Sequence, residues 1–174
     1  MTVKLYTATS LDGYIATEND DLQWLFDVDG EGDNGTGSFY AGIDVIVMGK
    51  KTYDYIIREE SGQWAYGEKT VYVLSHTTHG NNDQVTFIKS INQIPEFEAG
   101  LINSTKNVWI MGGGQINRLF LEKHLVDEII ITIAPVLLGK GKELFPEGDY
   151  GENLQFVSSK TYGQFVELTY RVLR

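Results

Sequence analysis

Met48-Gly49-Lys50-Lys51-Thr52 sets a glycine, two lysines and a threonine between an apolar run and a helical pattern. A glycine at such a junction lets the backbone approach a ligand, and the unpaired amides of a first helical turn carry partial positive charge. Lys50 and Lys51 add full charges there, and Thr52 adds a hydroxyl that can cap or donate. The chemistry this suits is the grip of an anion; the plainer alternative is a solvated lysine pair beside an ordinary turn. A second junction, Val108-Trp109-Ile110-Met111-Gly112-Gly113-Gly114-Gln115-Ile116, repeats the order of strand, glycines and helix. Three successive glycines cost stability, and passage of a pyrophosphate close over backbone amides is one reason to keep them, tight packing being the other. The G-x-G-x-x-G fingerprint is not met, because Asn117 stands at its third glycine, and no G-x-x-x-x-G-K-[ST] loop occurs.

Other side chains carry weaker signals. His76 and His79 follow a strand ending at Ser75 but lack a third ligand, so no metal site is assigned. Thr132, inside Ile129 to Ile133, is either a satisfied core hydroxyl or a group facing a pocket. Trp24 reads as core, and no Ser/His/Asp set has the spacing of a nucleophilic triad.

The elements that must position these residues are short. Val3 to Thr9 reads as a strand ending at the turn Asp12-Gly13, and Asp44 to Met48 as a strand buried on both faces. Thr70 to Leu74, Val85 to Ile88, Val108 to Met111 and Ile129 to Ala134 repeat that character. Helical spacing joins Tyr53, Ile56 and Ile57, and again Ile116, Leu119 and Phe120. Ser90 and Gln93 form a capping box, yet Pro95 would break the turn after it, so a third helix begins at Pro95. Val166, Leu168, Tyr170 and Val172 alternate with polar neighbours, Gly163-Gln164 is a hairpin turn, and Leu154 to Tyr162 is the partner strand. Asp27 to Ser38, with four glycines and four acids, reads as a mobile surface loop. Helices alternating with strands, then a hairpin, predict a mostly parallel sheet covered on both faces with an antiparallel edge.

At 174 residues, with 42% hydrophobic and 22% charged residues, the chain fits a single domain with a good-sized core. A formal charge of -10 disfavours nucleic acid and anionic lipid as partners. The absence of cysteine excludes disulfides, thiol catalysis and thiolate metal sites. The start, Met1-Thr2-Val3-Lys4-Leu5-Tyr6, shows no signal peptide, and no apolar run nears the roughly 20 residues of a membrane span. A cytoplasmic protein is expected.

Gly49-Lys50-Lys51-Thr52, Leu74-Ser75, Val85 to Ser90 and Ile110-Met111-Gly112-Gly113-Gly114 follow the order and spacing of dihydrofolate reductases. The chain resembles that superfamily over essentially its whole length. Ser10-Leu11-Asp12-Gly13-Tyr14-Ile15-Ala16, Leu125-Val126-Asp127-Glu128 and Pro135 to Gly141 resemble the branch that includes the reductase domain of riboflavin biosynthesis. The resemblance implies an α/β, dihydrofolate reductase-like fold, a mostly parallel central sheet with helices on both faces and a C-terminal antiparallel hairpin, using NADPH. It implies that Lys50 and Thr52 hold the 2′-phosphate and pyrophosphate, with Gly49 and Lys51 beside them. Ser75 and His76 would line the adenosine end, and Lys89 would approach the same phosphate. Gly112, Gly113 and Gly114 would receive the pyrophosphate and nicotinamide ribose, flanked by Met111, Gln115 and Ile116. Ala8 and Ile15 would bracket the nicotinamide ring, and Thr132 would face the substrate.

The catalytic positions follow less directly. Counting on from Trp24, Asp29 has the spacing of the pocket carboxylate of dihydrofolate reductases and Asp27 is close, though the residues around them look like loop rather than helix. Asn117 replaces the tyrosine usual after the glycines, and Met111 replaces the glutamate that riboflavin-type reductases carry before them. Three functions stay open. The first is reduction of the ribosyl group of 5-amino-6-(5-phosphoribosylamino)uracil, the second reduction of dihydrofolate or another pterin, and the third NADPH binding without turnover. The partner in the first two is a small heterocyclic substrate. A homodimer through exposed strands near the C-terminus is also expected.

Overall fold

Val45, Ile46, Val47 and Met48 are all fully buried, so the strand that carries them must be covered on both faces. A computed structural model describes residues 1–61, 63–97 and 105–174. In chain order its elements are β1 (Thr2–Ser10), β2 (Tyr14–Ala16), α1 (Gln23–Phe26), α2 (Thr36–Ala41), β3 (Val45–Gly49), α3 (Lys50–Glu59), β4 (Thr70–Leu74), β5 (Gly80–Asn81) and β6 (Thr86–Ile88). Two 3₁₀ turns, Ile91–Gln93 and Pro95–Phe97, precede β7 (Asn107–Gly112), α4 (Gly114–Glu122), β8 (Glu128–Ala134), β9 (Lys142–Glu143), β10 (Asn153–Tyr162) and β11 (Phe165–Leu173). Nine strands form one sheet in the order β10-β11-β8-β1-β7-β3-β4-β6-β5. The strands from β8 to β6 in that order run parallel, and the hairpin β10–β11 adds to β8 antiparallel.

Strand alternation divides the core in two. Val3, Leu5, Val45, Val47, Val108 and Ile110 point to one face, where Phe120 and Leu121 of α4 cover them. Ile46, Met48, Val71 and Val73 point to the other, under Ile56 of α3 and Phe39 and Tyr40 of α2. The two amphipathic patterns seen in the sequence are these two covering helices. Trp109 joins the second layer, and its indole N–H donates to the Tyr6 carbonyl at 2.9 Å.

Two expectations need correction. Residues 27–38 are not one loose loop: α2 begins at Thr36, and the Asp33 carboxylate accepts from the amides of Gly35 and Gly37, both at 2.9 Å. At the start of the helix expected from Pro95 stands a 3₁₀ turn, Pro95–Phe97, and residues 98–104 lie outside those described. The Ser90–Gln93 capping box is present, but it opens a 3₁₀ turn.

Candidate active site

Parallel pairing brings the carboxyl ends of the strands into one row. Thr132 of β8 lies beside Ala8 of β1, Gly112 of β7 beside Met48 of β3, Gly49 beside Leu74 of β4, and Leu74 beside Ile88 of β6. Ser75 and Lys89 directly follow the last two. At about 4.8 Å per strand, the six strand ends from Thr132 to Lys89 span about 24 Å.

Both glycine junctions meet in this row. A Cβ on Gly49 would lie 3.1 Å from Ile116 Cγ1 and 3.8 Å from the Gly112 carbonyl. A Cβ on Gly113 would lie 3.5 Å from Ile15 Cδ1 and 3.9 Å from Thr52 Oγ1. Gly112 has φ +101°, a conformation that suits glycine, and the Gly112–Gly113 peptide is cis. Neither α3 nor α4 has a side-chain cap or an acidic residue in its first turn, so no side chain competes for the leading amides. Such a cradle suits a pyrophosphate: a narrow glycine floor, a hydroxyl and two helix starts. Gly114 has a different job, since a Cβ there would overlap the Glu143 carbonyl and meet the Pro146 ring at 2.9 Å. Asn117, 1% exposed, donates from Nδ2 to the Leu144 carbonyl at 3.1 Å, fastening α4 to the same segment.

Cations line one end. Lys50 Nζ pairs with Asp54 Oδ1 one turn along α3, at 2.5 Å. Lys51 and Lys89 are exposed, and neither has an ion pair among the described residues. Ser75 is 4% exposed and its hydroxyl accepts from the amides of Thr77 and Thr78, closing a turn, while His76 is exposed. Gln115 is exposed and Met111 half-buried at the opposite side of the glycines.

The Ser10–Ala16 and Pro135–Gly141 motifs form a clasp that places Ile15. Asp12 accepts from the Ser10 hydroxyl at 2.6 Å and from the amides of Leu138 and Gly139 at 3.1 and 2.7 Å. These bonds, the Ser10 hydroxyl foremost, hold its carboxyl below the usual range. β2 pairs with β9, and Leu144 donates to the Gly13 carbonyl at 2.9 Å.

Next to Ala8 in the row, Thr132 is 7% exposed and pairs with Glu167 of β11. Tyr6, stacked on Phe39 at 3.9 Å, has its hydroxyl pushed up to about 12, first by burial and then by Glu167, Tyr162 and Asp33; a hydrogen bond with Thr132 opposes this. Asp29 is exposed, and its carbonyl accepts from the Gln164 amide at 2.9 Å against the hairpin tip. Helix α2, Thr36-Gly37-Ser38-Phe39-Tyr40-Ala41, carries no acid. Sequence reasoning missed Tyr6 and Glu167. The available signal was an acid sharing strand parity with Phe165, which is itself 5% exposed.

Burial raises the Glu167 carboxyl above its ordinary pKa, with Lys160 opposing. An acid easier to protonate in the folded chain than in the unfolded one loses stability as pH rises from the unfolded value of about 4.5 through the folded value. Glu167→Gln removes that loss. Its melting temperature should exceed the wild-type value at pH 8, with the difference shrinking toward pH 4; a pH-independent difference would contradict the assignment.

Fold and site together define a dihydrofolate reductase-like protein. The model of the RibD C-terminal domain matches residues 100–168. The uncharacterized protein YwjB of Bacillus subtilis is 38% identical over 168 residues, covering 95% of each chain. The crystal structure of a putative riboflavin biosynthesis protein from Shewanella sp. PV-4 superposes with a TM-score of 0.86 at 32% identity, over 100% of both chains. A pyrimidine reductase-like protein of Corynebacterium diphtheriae shares the fold, with a TM-score of 0.67 at 16% identity over 99% of this chain and 92% of that one. The chain belongs to the RibD C-terminal domain family, a family of reductase type. Among the described residues no helix is long and apolar enough to cross a membrane.

Proposed function

We propose that this protein is an NADPH-dependent reductase of the riboflavin-biosynthesis type, with 5-amino-6-(5-phosphoribosylamino)uracil as its first candidate substrate, acting in the cytoplasm. The observation that carries the cofactor is the convergence of both glycine junctions on Gly113, between Ile15 and Thr52. Likeness to the putative riboflavin biosynthesis protein of Shewanella and the pyrimidine reductase-like protein of Corynebacterium supports the reaction class.

The chemistry that NADPH supplies when bound is hydride donation from its nicotinamide ring. Thr52 and the first-turn amides of α3 and α4 would hold the pyrophosphate, and Lys50, Lys51 and Lys89 the 2′-phosphate. Ile15, held by the Asp12 clasp, and the backbone at Ala8 would fix the plane of the ring. Such fixing brings donor and acceptor carbons to roughly 3–3.5 Å and keeps water out. Loss of NADPH absorbance on adding the phosphoribosylaminouracil supports this reading, and binding without oxidation overturns it.

A second substrate, dihydrofolate or another pterin, is favoured by one observation. Glu167 lies beside Thr132 with Asp33 close to Tyr6, whereas the cation nearest Glu167 is Lys160 at 3.9 Å. That balance suits an uncharged ring better than a phosphate. The same absorbance assay with dihydrofolate decides between the two, and NADPH binding with neither oxidised leaves a binding protein without turnover.

A homodimer belongs to the same reading. Val166, Leu168 and Tyr170 of β11 lie beside Ile133, Ile131 and Ile129 of β8, and Tyr170 lies beside Phe156 of β10, all on one sheet face. The charges of these strands, Lys160, Glu167, Arg171 and Glu128, have the opposite parity. Phe156 is 58% and Leu154 42% exposed. Two chains of charge -10 could meet on such a neutral face. Light scattering should give twice the 19.6 kDa chain mass, and Phe156→Asp should give the single mass.

A further inference from the structure

Glu167 is the most deeply placed acid in the row, with a side chain 8% exposed. No hydrogen bond from the described residues reaches its carboxylate, and its one cation, Lys160 Nζ, stands 3.9 Å away. The oxygens of this carboxyl are not among the sealed, unpartnered atoms of the described residues, so they keep an opening to solvent through which a molecule in the row can bring donors to them. Lys160 comes from β10 and Tyr6 from β1, and around Tyr6 lie Tyr162 of β10 and Asp33 of the turn before α2, whose carboxylate is already taken by two amides.

The register gives this opening a direction. Ala8, Thr132 and Glu167 stand side by side on three adjacent strands. Ala8 is half-buried, Thr132 is 7% and Glu167 6% exposed, so the row is open at the cofactor end and closes toward Glu167. A ring entering over Ala8 would present its far edge to the carboxyl. A carboxylate accepts two parallel N–H bonds with strong geometric preference, and a ring bearing adjacent N–H groups offers that pair. An anionic group at the same edge would face the Glu167 carboxylate.

We propose that Glu167 is the substrate-recognition residue of this site, receiving the N–H edge of an uncharged or cationic nitrogen heterocycle, so that any phosphate on the substrate must lie at the open end. This rests on the reading that the acceptor lies over Ala8 and Thr132. The carboxyl comes from the C-terminal hairpin, and no residue of α2 supplies it.

The test is a calorimetric titration of the intact protein, with and without NADPH, using 2,4-diaminopyrimidine as the probe and ribose 5-phosphate as the anionic control. Wild type should bind the diamine at millimolar concentration or below and ignore the sugar phosphate. Glu167→Gln, close in shape, should weaken the diamine by about tenfold or more, as expected for loss of a charge-assisted hydrogen bond, and Glu167→Asp should restore part of it. NADPH affinity should be the same in all three. Equal binding of the diamine by wild type and Glu167→Gln overturns the proposal, and so does failure of wild type to bind it. If the diamine binds through Glu167 but NADPH does not bind, the cofactor reading falls and the recognition role stands.

Discussion

Lys50→Ala should lower NADPH affinity by about 10–100-fold while changing NADH affinity by less than about threefold, because one charge-assisted contact to the 2′-phosphate is worth about 1.5–3 kcal/mol. Lys50 opens α3 at the edge of the glycine cradle, and its Nζ is already held by Asp54 at 2.5 Å. Removing it deletes the cation and also leaves the Asp54 carboxylate uncompensated beside the phosphate, so both changes act against NADPH. Asp54→Asn provides the mirror image, freeing Lys50 without removing it, and should shift preference further toward NADPH. Dissociation constants for both nucleotides, measured by fluorescence at one ionic strength, check this. Equal losses for NADPH and NADH in Lys50→Ala would remove Lys50 from the phosphate site and leave Lys51 and Lys89 as the candidates.

Gly114→Ala should destabilise the fold by about 1–3 kcal/mol and weaken NADPH at the same time. The added methyl would overlap the Glu143 carbonyl and approach the Pro146 ring, and a backbone oxygen cannot swing aside as a side chain can. Glu143 belongs to β9, whose partner β2 carries Ile15, so a displaced β9 pulls one wall from the cradle. Each 1 kcal/mol should lower the melting temperature by about 2–4 °C in a chain of this size. Gly151→Ala is the control: nothing lies within 4 Å of its added methyl, and its stability should stay within about 0.5 kcal/mol of wild type. Equal melting temperatures for the two variants would contradict the packing role of Gly114.

Much of the sheet was legible because its strands are apolar on both faces. Thr70 to Leu74 reads as a strand in the sequence and is β4 residue for residue, and the glycine junctions fall at β3–α3 and β7–α4 as their composition indicates. The short elements were not legible. β2 and β9 have three and two residues, too few for a periodicity, and they exist because Asp12 binds the amides of Leu138 and Gly139 far along the chain. In the hairpin, alternation marks Val166, Leu168 and Tyr170 as one apolar face, but which face meets the core depends on what covers it. The structure turns Phe165 and Glu167 inward and leaves Val166 39% exposed. Glu167 was hidden for that reason, since a charged residue between two apolar ones looks solvent-facing until the register with Thr132 is known. Asp29 had the spacing of a pocket acid, yet its segment packs against the hairpin tip and its side chain is exposed.

The most direct test is an NMR titration of backbone amides with NADPH. Gly49 to Thr52, Gly113 to Ile116 and Ile15 should shift together along one saturation curve, because they line one cradle. Shifts confined to a single junction, or none at millimolar nucleotide, would contradict a shared cradle.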